Sequence, residues 1–142
     1  MLVRCLYASR VTKPLSPHLF ESILEQSCKN NPSRGVTGLL CFTKNIFLQV
    51  IEGGRDEVNQ LFFVIARDDR HNDVRLLAFD EVSQRRYSNW TMGQVDLDNV
   101  NADLILKYSE KPELNPFACS GHATLALLDE LVATGSIRRH GR

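Results

Sequence analysis

Apolar residues recur along the chain with two different spacings, and the change between them predicts strands and helices. Runs that predict strands occur at residues 2–9, 39–43, 45–53 and 74–82, and the first and third of these are apolar on both faces, as buried strands require. A helical spacing of apolar residues follows Ser16 and Pro17, which are a capping hydroxyl and a first-turn proline. A second helical spacing covers residues 56–67. The predicted order of elements is therefore βαββαβ.

This order is typical of a ferredoxin-like α+β sandwich, in which two helices cover one face of an antiparallel sheet. The first predicted strand is apolar on both faces, so the second face of the sheet also needs a cover. Helical patterns at residues 102–108 and 123–132 can supply that cover, and residues 90–95 are expected to add an edge strand.

The pattern divides the chain into two parts. Residues 1–96 form the predicted sandwich with its added strand, and residues 97–142 form a C-terminal helical cap with a basic tail. The cap could equally serve as a surface for self-association. We expect the tail at residues 138–142 to be frayed and solvated.

Charge and composition exclude several classes of protein. Acidic and basic residues number 17 each, so bulk charge favours neither nucleic acid nor an anionic membrane as a partner. No leader pattern is present, and no apolar stretch approaches the roughly 20 residues that span a bilayer, so we expect a cytoplasmic protein. The four cysteines stand singly and neither they nor the four histidines show metal-ligand spacing, so no metal site is expected.

Gln49 is a primary amide at the centre of an otherwise apolar strand, where it needs hydrogen-bond partners. Tyr7 lies on the first strand, which neighbours the third in a βαββαβ sheet. The two side chains are expected to face each other on the side that the helices cover. Two interpretations are open: a tyrosine satisfied by a core glutamine, or a pair that meets a bound small molecule with hydrogen-bonding edges.

Three other groups of polar or aromatic residues are ambiguous in the same way. Asn30 and Asn31 can present an amide to the groove between the helices or simply end the first helix before a proline. The group at the end of the second helix can be a solvated terminus or a phosphate clamp built around Arg70; its members are Arg67, Asp68, Arg70 and His71. Trp90 and Met92 are typical of the hydrophobic cover of an edge strand.

Several short segments together resemble the BLUF family of blue-light sensors that use FAD. They are Leu6-Tyr7-Ala8-Ser9, Asn30-Asn31-Pro32, Gly35-Val36-Thr37-Gly38-Leu39-Leu40, Phe47-Leu48-Gln49-Val50-Ile51-Glu52-Gly53, Asp68-Asp69-Arg70-His71 and Asn89-Trp90-Thr91-Met92. Their order and spacing over residues 2–95 carry the resemblance, and residues 104–109 are similar to the C-terminal helices of the short, stand-alone PixD-like type. Ala8 departs from the family pattern, in which a serine often follows the tyrosine.

The resemblance implies a flavin site between the two helices. Asn31 would bind the pyrimidine edge of the flavin, and Gln49 would bridge Tyr7 and the ring. The resemblance places further residues near the ring or the rest of FAD: Asn30, Asp68, Arg70 and His71, with Ile23 and Leu39 as apolar walls.

The function implied by the resemblance is photochemical rather than enzymatic. Light would drive electron and proton transfer from Tyr7, leave Gln49 rotated or tautomerised, and bias the strand of Trp90 and Met92 and then the C-terminal helices. Trp90 is also a candidate competing electron donor. Because no catalytic domain follows the sensor, the signal would pass by contact to another protein, and self-association is expected.

Two alternatives of other classes remain. The first is a small acyl-phosphate hydrolase in which Arg70 anchors the anion and Asn31 orients water, although the sequence offers it no nucleophile and base pair. The second is a small-molecule-binding regulatory module that does not respond to light.

Overall fold

The computed structural model describes residues 1–12, 22, 33–88 and 92–134, together with the backbone of 138–140. The strands are β1 Leu2–Val11, β2 Thr37–Phe42, β3 Ile46–Gly54, β4 His71–Val82, β5 Met92–Asp96 and β6 Arg138–His140. The helices are α1 Arg55–Arg67, α2 Ala102–Leu106 and α3 Gly121–Ala133, and a 3-10 turn covers Leu97–Asn99. The predicted helix after Ser16 lies outside the described residues, except for Ser22, which is helical.

One six-stranded sheet carries the fold in the order β4-β1-β3-β2-β5-β6. Neighbouring strands are antiparallel except β2 and β5, which are parallel. The ferredoxin-like α+β class is confirmed, and β1 and β3 are neighbours as predicted.

Two expectations about the C-terminal part of the sheet were wrong. The strand predicted at residues 90–95 is β5, but β5 is not an edge, because β6 pairs with it on the side away from β2. Residues 138–140, expected to be frayed, form that outer strand. The physical reason is that strand pairing uses backbone N–H and C=O groups, so the tail can pair with the outer side of β5 regardless of its side chains.

The sheet is covered on both faces, as the two-sided apolar pattern of β1 predicted. Val3 and Cys5 of β1 point to the face on which α1 lies, where Val58 of α1 joins the same core. Leu6 and Ala8 point to the opposite face, where the core is completed by the cap helix α3. Both cap helices predicted from the sequence are present, as α2 and α3.

Helix α3 begins in close contact with β4. The Ser120 hydroxyl caps it by accepting a hydrogen bond from the Ala123 N–H at 3.0 Å. A Cβ added at Gly121 would lie 2.6 Å from the Leu77 carbonyl oxygen of β4, so only glycine allows this approach. In the part of the chain that the structure describes, no helix is long and apolar enough to cross a membrane.

Candidate functional site

Tyr7 and Gln49 meet at the centre of the sheet. They are directly opposite each other in the β1–β3 register, and the Tyr7 hydroxyl donates a hydrogen bond to Gln49 Oε1. Both side chains are buried, at 1% and 5% exposure. The sheet therefore holds a phenol and an amide together away from water, as the sequence analysis expected.

The pair lies on the face covered by α1. The Tyr7 ring makes an edge contact with Phe62 of α1, with the ring centroids 5.7 Å apart. Burial raises the pKa of Tyr7 above its ordinary value, and the nearby Cys5 and Asp68 raise it further. The hydroxyl therefore keeps its proton and remains a hydrogen-bond donor in the resting protein.

His71 and Ser9 extend the pair along the same face. The Ser9 hydroxyl and His71 Nδ1 are 2.7 Å apart, and the imidazole lies 6.5 Å from the Tyr7 ring and 5.0 Å from the Phe47 ring, centroid to centroid. Burial lowers the pKa of His71 below 6.5; Asp68 opposes this shift and Arg70 adds to it. The imidazole is therefore held neutral near pH 7.

Ser9 was missed by the sequence analysis, although a signal for it was available. It is a fully buried polar residue, at 0% exposure, two positions after Tyr7 on the same strand. Because the side-chain period of a strand is two, Ser9 had to share the face of Tyr7.

Asp68 and Arg70 form a compact ion pair at the end of α1. Arg70 Nε donates to both carboxylate oxygens of Asp68, at 3.0 and 3.1 Å, and the Arg70 backbone N–H donates to Oδ1 at 2.9 Å. The side-chain hydrogen bond from Arg70 lowers the pKa of the Asp68 carboxyl below 3.8. The structure thus brings Asp68, Arg70 and His71 together beside Tyr7.

Leu39 does not lie on this face. It packs in the core between the sheet and α3, whereas Leu40, its neighbour along β2, is directly opposite Gln49 and joins the core under α1. The structure therefore does not support Leu39 as a wall of the predicted site, and Leu40 has the position that this role needs. The strand alternation is the reason, since adjacent residues point to opposite faces.

The remaining predicted site residues lie wholly or partly outside the described part of the chain. Ile23, Asn30, Asn31 and Trp90 lie outside the described residues. Met92 belongs to β5, but only its backbone is described.

Glu52, also missed from the sequence, is a fully buried carboxylate on the cap side of β3, at 0% exposure. It accepts hydrogen bonds from Arg4 Nε at 2.8 Å and from the backbone N–H groups of Arg86 and Tyr87 at 3.0 and 2.7 Å. The signal that found Gln49, a polar residue inside an apolar strand, applies equally to Glu52. Among the described residues, no group of three or more His, Cys, Asp or Glu side chains could hold a metal ion.

Comparison with known proteins gives concordant results. The model of the BLUF family, described as sensors of blue light using FAD, matches residues 2–93. The beta subunit of a photoactivated adenylate cyclase from Euglena gracilis is 32% identical over 87 residues, which are 61% of this chain and 10% of the cyclase. The blue light- and temperature-regulated antirepressor BluF of Escherichia coli is 27% identical over 107 residues, which are 75% of this chain and 27% of that protein. The chain thus spans about a tenth of the length of the cyclase relatives it matches.

Two solved structures match over nearly their whole length. The photo-activated state of BlsA has a TM-score of 0.83 and 27% identity, and the match covers 93% of this chain and 95% of that one. The dark state of BlrB, a BLUF protein, has a TM-score of 0.77 and 27% identity, with coverage of 94% and 96%.

Proposed function

The chain belongs to the BLUF family of blue-light sensors, and on that premise we propose that it is a photoreceptor that holds FAD against Tyr7 and Gln49. The observation that carries the proposal is the buried hydrogen bond from the Tyr7 hydroxyl to Gln49 Oε1. Members of the family bind a flavin, and the specific choice of FAD is part of the proposal.

The residues that the structure describes have the chemistry that a flavin needs. The carbonyl end of the Gln49 amide accepts the hydrogen bond from Tyr7, so the Nε2 end is the one that would donate to a ligand. The polar edge of a flavin carries acceptors that match such a donor. Leu40 and Phe62 supply apolar surface on the same face. The family resemblance adds residues that would hold the rest of FAD: Ile23, Asn30, Asn31, Asp68, Arg70 and His71.

The proposed mechanism depends on what Tyr7 and Gln49 do after excitation. A bound flavin supplies blue-light absorption and, once excited, a strong oxidant. Tyr7 would donate an electron and its hydroxyl proton to the bound flavin and take both back, so no substrate would be consumed. Gln49 is left rotated or tautomerised, because its two ends differ as donor and acceptor. The protein thereby keeps a changed hydrogen-bond pattern as the record of the light.

The output is proposed to be contact with another protein rather than catalysis by this chain. BLUF domains relay signals to effectors, which in the relatives named above include cyclases and an antirepressor. BlsA and BlrB are matched over 95% and 96% of their chains, so the support from structural similarity extends beyond residues 2–93 into the cap. Residues 1–96 would bind the flavin, and residues 97–142 would cover the sheet and change on illumination, with Trp90 and Met92 on the connecting strand.

We further propose a homo-oligomer in the cytoplasm, where the free thiols of Cys5, Cys41 and Cys119 would stay reduced.

The test is the absorbance spectrum of the purified protein. We expect a yellow protein whose flavin absorbance shifts to the red under blue light and recovers in the dark. Tyr7→Phe and Gln49→Leu are expected to abolish the shift while flavin binding persists. Tyr108→Phe is the matched control, because this tyrosine bonds Glu130 and packs against the core on the other face of the sheet, and should leave the shift intact. Chromatography of the released cofactor distinguishes FAD from FMN, and a colourless protein that takes up no flavin would contradict the proposal.

The hydrolase alternative gains little from the structure. Contrary to the sequence analysis, a nucleophile and base pair does exist, since Ser9 and His71 share a hydrogen bond. However, among the described hydrogen bonds no third group orients the His71 imidazole as a general base for Ser9. No described contact favours the alternative.

A further inference from the structure

The buried carboxylate of Glu52 fixes one point of the connection between β4 and β5. Both of its oxygens lie 3.0 Å from the Arg86 N–H, and one also accepts from the Tyr87 N–H at 2.7 Å. Arg4 neutralises the carboxylate from the neighbouring strand at 2.8 Å. A carboxylate that is fully buried and satisfied in this way holds its partners firmly, because breaking any of these bonds would leave a desolvated charge.

Arg85 attaches the same connection to the start of β2. Its guanidinium donates to the Gly35 carbonyl at 2.6 Å, to Thr37 Oγ1 at 3.0 Å and to the Glu52 carbonyl at 3.4 Å. Residues 85–87 are thus attached to the two strands that carry Leu40 and Gln49, and they directly precede the segment that leads into β5.

Arg86 continues from this fixed point to the cap. Its backbone is bound by Glu52, while its side chain donates from Nη1 to both carboxylate oxygens of Asp129 on α3, at 3.0 Å each. The two side chains are 42% and 44% exposed. An exposed ion pair is weak compared with the buried Arg4–Glu52 pair, so a small change in the sheet can alter it without unfolding the protein.

We propose that the Arg86–Asp129 ion pair, anchored on the sheet by Glu52, is the contact through which α3 responds to light. The proposal rests on the proposed function and adds a route from β3 to the cap that bypasses β5. Arg86 and Asp129 are positioning residues here, since neither lies near Tyr7 or Gln49 in the described fold.

The experiment measures amide hydrogen exchange of residues 121–133 in the flavin-loaded full chain, in the dark and under continuous blue light. In the wild type we expect exchange in α3 to differ between the two states. Arg86→Asp and Asp129→Arg each place like charges opposite one another and should reduce the light–dark difference by a factor of about 1.4 to 5, the range for loss of an exposed pair. The double variant restores opposite charges and should recover the wild-type difference. All four proteins should keep the red shift.

The matched control is Lys107→Glu, which breaks the ion pair of Lys107 with Glu130, the residue next to Asp129. That pair joins α2 to α3 within the cap, so its loss should leave the light–dark difference unchanged. The proposal is overturned if Arg86→Asp keeps the wild-type difference, if Lys107→Glu reduces it equally, or if wild-type α3 shows none while the red shift is present. Absence of the red shift in the wild type would instead overturn the proposed function.

Discussion

At the scale of single residues, His71 is a titratable group beside Tyr7. The fold favours the neutral form of its imidazole near pH 7. Its imidazole bonds Ser9 and is packed against Phe47, and burial lowers its pKa below the 6.5 expected in the unfolded chain. As the pH falls through that value the unfolded chain takes up the proton first. The stability that the neutral imidazole contributes is therefore present above about pH 6.5 and is lost as the pH falls toward the folded-state pKa.

We predict that His71→Gln makes the free energy of unfolding less dependent on pH between about pH 7 and pH 5. Urea unfolding of both proteins at several pH values measures this. The carboxyl of Asp68, whose pKa is lowered by Arg70, loses its contribution only at lower pH, so it does not obscure this window. Equal pH slopes for the two proteins would show that His71 is not held neutral by the fold.

The strand pattern explains which site residues could be predicted from the sequence. Gln49 and Tyr7 were found because a polar group in an apolar strand is conspicuous and the topology makes their strands neighbours. Leu39 and Leu40 could not be separated, because β2 is apolar on both faces and the pattern therefore does not say which residue points to α1. Asp68, Arg70 and His71 were noted as a cluster at a helix end, but only the family resemblance placed them near a flavin, because their contacts depend on tertiary structure that spacing does not encode.

At the scale of elements, the contact between the start of α3 and β4 depends on a glycine. A Cβ at Gly121 would meet the Leu77 carbonyl at 2.6 Å and the Ala78 side chain at 3.2 Å. We predict that Gly121→Ala pushes α3 away from β4 and lowers the free energy of unfolding by about 1–3 kcal/mol, the usual cost of overpacking.

Gly54→Ala is the control for this substitution. Nothing lies within 4 Å of a Cβ added at Gly54, so its effect on the free energy of unfolding should stay below about 1 kcal/mol. Thermal or urea unfolding compares the two variants. If Gly121→Ala were no more destabilising than Gly54→Ala, the close approach of α3 to β4 would be wrong.

The helices and strands differ in how clearly the sequence predicts them. Helices α1 and α3 have a continuous apolar stripe and were predicted within a few residues of their ends. Strand β6 has the sequence Arg138-Arg139-His140 and joins the sheet through its backbone. Such a strand leaves no hydrophobic pattern, and for this reason the tail was expected to be frayed.

At the scale of the whole molecule, the cap supplies one half of the core. The sheet face that carries Leu6, Leu48 and Val50 is buried by Leu127 and Leu128 of α3. We predict that a chain ending at Asp96 exposes this face, binds hydrophobic dyes and aggregates, although it keeps every residue that the family model matches.

A chain ending at Thr134 is the control for this truncation. It retains α3 and loses β6, so it should remain folded and soluble, with the flavin spectrum of the full chain. Size-exclusion chromatography and dye fluorescence compare the three lengths. A soluble, cooperatively folding chain ending at Asp96 would show that the cap is not needed to complete the core.

The position of β1 inside the sheet has a consequence for how the protein is made. β1 leaves the ribosome before both of its partners, β3 and β4, and β3 ends about 40 residues after β1. At about 5–20 residues per second of synthesis, this ten-residue strand waits on the order of 2–9 s before its nearer partner is complete. During that interval Tyr7 and the apolar residues around it have no sheet to enter, so the strand that becomes mostly buried in the native protein stays exposed while its partners are being made.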